Sequence, residues 1–168
     1  MNRLATRRRP ISRLLDRLRS RVVRLRHRRG HGVHSPYIYS IVREVFMRRT
    51  PIVHTSLGDD LQRCGVKGRM AVELQNVYVH CGYRSYVIDP QVGEMADFVV
   101  CTSAMTNERI DGVYEAAVEH GATIVVERGV GTTDQFSGIV KRHLSTVVDR
   151  PKYIIIFNNH LPKQYFQL

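Results

Sequence analysis

The sequence predicts an α/β fold: a mostly parallel sheet, finished by a C-terminal antiparallel hairpin, preceded by N-terminal helices. Three observations predict it. From about residue 85, short apolar runs of strand length alternate with segments of helical periodicity, the pattern that builds parallel sheets through helical crossovers. The last strand segments, STVVD, YIIIF and QYFQL, are joined by too few residues for a crossover helix, so they should pair antiparallel. The first part of the chain instead places apolar residues at three- and four-residue steps, as helices do. With 168 residues, 43% of them apolar, one domain with a real core is expected.

Residues 1–30 read as an Arg-rich amphipathic helical arm. Ile11, Leu14, Leu15, Leu18, Val22 and Leu25 fall within about 100° on a helical wheel, and Gly30 is a natural stop. Arg13, Arg17, Arg21, Arg24 and Arg28 line one flank. The arm holds twelve arginines and a single acid, Asp16, for a net charge of +11, while the rest of the chain has 14 basic and 14 acidic residues that cancel. All the excess charge therefore sits in the arm. Such a flank is either solvated or grips polyanions, namely RNA, the ribosome or an anionic membrane surface, and its apolar stripe can dock on the domain in either case. An Arg-rich, acid-poor start also fits an organellar transit peptide. No apolar run reaches the roughly 18 residues of a membrane span. Cys64, Cys81 and Cys101 form no CxxC pair, so reduced thiols, a cytoplasmic location and no disulfide are expected.

Residues 31–66 read as a helical linker region and 67–168 as the α/β domain. Ser35-Pro36 is a cap followed by a first helical residue, and Ile38, Ile41, Val42, Val45 and Phe46 form the buried stripe of a helix that ends before Thr50-Pro51. A short helix is expected around 59–64 and a longer one from about Lys67 to Val79. SYVID and ADFVVC follow as strands, NERIDGVYEAAVEHG as a helix stopped by Gly121, ATIVVE as a strand, and Thr133–His143 as a helix. His27, His31 and His34 have metal-like spacing, but Gly30 and Gly32 interrupt any helix that would align them, so capping roles are expected and no metal. In TIVVERGVGTTDQF, Gly129 and Gly131 stand between a strand and a helix, as in a phosphate-binding loop or an ordinary turn.

RRGHGVHSPYIYSIVREVF near the start and YIIIFNNHLPKQYFQL at the end resemble the two ends of a family of class I S-adenosylmethionine-dependent methyltransferases of Bacteroidetes, with its HGxHSPF-like start and KQxF-like finish. ADFVVCTSAMTNERIDGVYEAAVEHGATIVVERG resembles that family's fourth strand, following helix and fifth strand. The resemblance covers roughly residues 24–50 and 95–168 and implies a Rossmann-type sheet. It also places Gly129 and Gly131 in a turn.

The departures from the family bear on activity. Its acid-ended first strand with a Gly-rich loop is missing, as is the acid of its second strand, and the chain is shortened between about Gly68 and Ala96. Thr102 stands where the family has an acid, Met105 where it has a histidine, and Arg128 replaces the second of two acids of which Glu127 is the first. The resemblance thus implies a truncated, degenerate methyltransferase-like protein that is non-catalytic, holds no cofactor and works through its basic arm. Two other readings stay open. An active methyltransferase would have to bind S-adenosylmethionine at a minimal site of Asp89, Gly93 and Glu127; alternatively, the chain is a partner of an active relative or the product of a decaying gene. The shortened sheet leaves an edge that a second copy could cover as a homodimer.

Overall fold

The computed structural model describes residues 35–130 and 133–168. The arginine arm and His27, His31 and His34 lie outside the described residues. Ser35 caps the first helix, its Oγ accepting the Ile38 N–H at 3.4 Å, and Pro36 opens α1 (Pro36–Ile41). α1 runs directly into a π-helical turn, Val42–Phe46, in which the Met47 N–H reaches the Val42 carbonyl at 3.0 Å. The wider turn keeps Ile38, Ile41, Val42, Val45 and Phe46 all buried. α2 (Ser56–Arg63) and α3 (Arg69–His80) follow.

Residues 35–66, within the stretch expected as a helical linker region, pack on the sheet. Ile38, Val45, Leu57, Leu61 and Val66 share one core with Phe98, Val125, Val148 and Ile155 of the sheet. The helices are one layer of the domain, because among the described residues the sheet is the apolar surface on which their stripes bury.

Beyond them the chain forms β1 (Tyr86–Ile88), β2 (Phe98–Cys101), α4 (Asn107–His120), β3 (Thr123–Glu127), α5 (Thr133–Arg142), β4 (Thr146–Asp149), β5 (Tyr153–Ile156) and β6 (Gln164–Gln167). The result is an α/β, Rossmann-like arrangement with a mixed six-stranded sheet in the order β1-β2-β3-β5-β4-β6. β1, β2 and β3 are parallel, and β5 is antiparallel to both β3 and β4. Side chains alternate between two cores, as the two-residue strand period requires: Phe98 and Val100 face α1–α3, whereas Val99 and Cys101 face α4 and α5. α4 ends at Gly121, whose φ of +81° is the left-handed cap for which glycine is suited.

The expected C-terminal pairing is right for the β4–β5 hairpin and wrong for β6. β6 pairs parallel with β4. The chain leaves β5, passes the end of β4 and returns on its far side. Skipping one strand restores the parallel direction without a helical crossover. β1 and β6 are the edge strands; β1 is half-buried, and residues 89–97 join it to β2 without a helix.

Candidate functional site

The carboxyl ends of parallel strands are where α/β sheets bind ligands, and Asp89, Thr102 and Glu127 lie there, at the ends of β1, β2 and β3. Asp89 follows β1 with φ +51°, a conformation asparagine and aspartate tolerate better than other side chains. Its two carboxylate oxygens are both occupied: one accepts the Thr102 N–H and the other the Thr102 hydroxyl, each at 2.6 Å. Thr102, at the end of β2, is 1% exposed. Glu127, ending β3, accepts the Ser103 N–H at 2.8 Å. The Arg109 guanidinium, from α4, donates to the Pro90 carbonyl. The three strand ends are thus stitched together from β1 to β3.

Gly93 lies in an exposed turn with φ +86°, closed by the Glu94 N–H on the Gln91 carbonyl at 3.1 Å and by the Glu94 carboxylate on the Gln91 N–H at 2.9 Å. No helix follows it before β2. Asp89 and Glu127 do share one edge, whereas Gly93 sits in a self-contained turn. S-adenosylmethionine requires an acid for its ribose hydroxyls and glycine amides for its carboxylate. Here both oxygens of Asp89 and one of Glu127 already accept protein hydrogen bonds.

Cys81 and Cys101 are not activated thiols. Burial pushes Cys101 up to about 12 and raises Cys81 above its ordinary value, so both stay protonated near neutrality. Among the described residues no group of three or more His, Cys, Asp or Glu side chains is placed to hold a metal ion. No described helix is long and apolar enough to cross a membrane.

A second feature is an open groove of about 740 Å³ on the helical layer, between α2, the start of α3 and the chain after α1. Arg49, His54, Lys67 and Arg69 line it, with Asp59 the one acid. Arg69 is shared, its Nε donating to Glu73 at 2.7 Å and its guanidinium to the Phe46 carbonyl at 2.6 Å. Gly68 caps α3 with no side chain, and the first turn carries no acid, so the amide end of that helix is uncompensated by a carboxylate of its own.

None of these groove residues stands out in the sequence. Balancing charge over all residues after 30 conceals them, for residues 31–70 hold six cations against three acids and residues 71–168 hold eight against eleven. A finer division of the charge was the available signal. Comparison of the chain with family models, with curated proteins and with solved structures finds no match in any of the three.

Proposed function

We propose that this chain is a non-catalytic RNA-binding protein, built on a shortened and degenerate methyltransferase-like sheet, in which Arg13, Arg17, Arg21, Arg24 and Arg28 grip the phosphate backbone. One observation carries the reading: the division of charge, with +11 on residues 1–30 and zero on the rest. Polyanion binding by such a segment is driven by counterion release and falls steeply with salt. The engagement of Asp89 by Thr102 supports the non-catalytic half of the reading, because part of the carboxylate's accepting capacity is already used within the sheet.

Salt titration tests it. If five to eight arginines neutralise phosphates, log affinity for RNA falls against log salt with a slope of about −4 to −7. Replacing the five arginines by glutamine in the full chain flattens that slope, and an unchanged slope would show the arm to be idle. Anionic vesicles bound better than RNA would redirect the arm to membranes. The active-enzyme alternative has its own test, titration with S-adenosylhomocysteine: a dissociation constant below about 50 μM, lost in Asp89→Ala, would restore the enzyme.

A further inference from the structure

α1 and the π turn after it carry a solvent-facing row, Tyr39, Arg43 and Met47, at four-residue steps. Tyr39 is 42% and Met47 50% exposed, on a helix whose other face is buried. The Arg43 guanidinium donates to the Tyr39 hydroxyl at 3.5 Å and lies 6.0 Å from the centre of its ring. The row begins one turn after Ser35. It ends two residues before Arg49, which lines the basic groove with Lys67. α1 and the π turn together span residues 36–46. Neither Arg49 nor Lys67 has an ion-pair or hydrogen-bond partner among the described residues, while Glu44, the acid beside the row, is paired with Arg48 at 3.6 Å.

We infer that this row and the groove form a track for single-stranded RNA that continues from the arm, an inference that rests on the RNA-binding reading of the arm and extends it to the folded domain. Arg43, Arg49 and Lys67 bind successive phosphates, and the amide end of α3 adds donors at the groove floor. The Tyr39 ring, exposed and flanked by a cation, is a platform on which an unpaired base stacks. A duplex keeps its bases stacked on one another and offers Tyr39 nothing. That is why the track takes single strands. An extended ligand is required, because the stacking ring lies on α1 and the groove cations lie beyond the π turn.

The test measures binding of a short labelled oligouridylate to the full chain at several salt concentrations. R49Q/K67Q removes two phosphate contacts and should flatten the salt slope by about 1.4. Tyr39→Ala should weaken binding about tenfold with the slope unchanged, and should not affect an RNA duplex. R84Q/K152Q, at two exposed positions elsewhere, removes the same charge and should leave the slope as it is. All three variants have surface side chains, and thermal melting checks that they stay folded. If R49Q/K67Q and Tyr39→Ala both behave like R84Q/K152Q, the track is overturned. A flattened slope with Tyr39→Ala silent, or equal sensitivity of the duplex, overturns the single-strand assignment. Loss confined to the five-arginine arm variant sinks the track and leaves the arm, whereas loss confined to the track variants sinks the arm.

Discussion

Glu73 is a buried carboxylate, 2% exposed, that accepts from Arg69 Nε at 2.7 Å, from the Arg150 guanidinium at 2.5 Å and from the Tyr153 hydroxyl at 2.5 Å. Burial and that carboxylate keep the Tyr153 phenol protonated well above its ordinary range, so it remains a donor. Arg150, 8% exposed, also lies over the Phe46 ring at 4.6 Å, and the cluster joins α3 to the β4–β5 turn. Glu73→Ala strands the Arg150 charge in the interior and should cost about 3–5 kcal/mol in urea unfolding, whereas Tyr153→Phe, which removes one hydrogen bond to a charge, should cost about 1.5–3 kcal/mol. His143 is buried too, held between the Tyr114 hydroxyl at 3.2 Å and the Phe157 carbonyl at 2.9 Å. Burial lowers its pKa from the ordinary 6.5. The unfolded chain therefore takes up a proton that the folded chain resists, so the His143 contribution is intact above about 6.5 and is lost as the pH falls from there toward the folded value. The urea midpoint should drop across that window, and should drop less in His143→Phe.

α2 and α3 are locked together by a missing side chain. A Cβ at Gly58 would overlap Gln75 Oε1, and Gln75, 3% exposed, donates to the Val53 carbonyl at 2.5 Å. Alanine in a helix is ordinarily better than glycine by about 1 kcal/mol. Here the overlap dislodges Gln75 and its hydrogen bond, which is worth more, so Gly58→Ala should destabilise by about 1–2 kcal/mol. Combined with Gln75→Ala it should cost less than the sum of the two, as a double-mutant cycle in thermal or urea unfolding would show. Elements of this kind were largely legible in the sequence, because the stripe of Ile38, Ile41, Val45 and the continuous run of Phe98–Cys101 each carry their own periodicity. Partner choice is not local. Nothing in QYFQL distinguishes a third antiparallel strand from one that crosses to the far side of β4, and nothing in residues 31–66 separates a tether from a layer until the sheet that buries Leu57 and Leu61 is in place.

Across the whole molecule, charge is graded, with +11 on residues 1–30, a net +3 on 31–70 and a net −3 on 71–168. The first step of that gradient was plain in the sequence and the second was concealed by averaging, which is why Arg13 to Arg28 were read as a binding face and Arg49 and Lys67 were not. Asp89 was legible as an acid at a strand end; that Thr102 occupies it depended on two strand ends meeting. The strand order has a temporal consequence as well. β3 and β4 are consecutive strands, yet neither touches the other, since Ile155 of β5 stands between Val125 and Val148 in register. The left and right parts of the sheet cannot close until a later piece of chain inserts, so the barrier to folding should be the arrival of β5. Ile155→Val, costing about 1 kcal/mol, should then act mainly by slowing refolding. Val87→Ala, on the edge strand β1, should mainly speed unfolding. Stopped-flow chevrons in urea would separate the two, and an Ile155→Val effect confined to the unfolding limb would mean that the halves meet before the strand between them arrives.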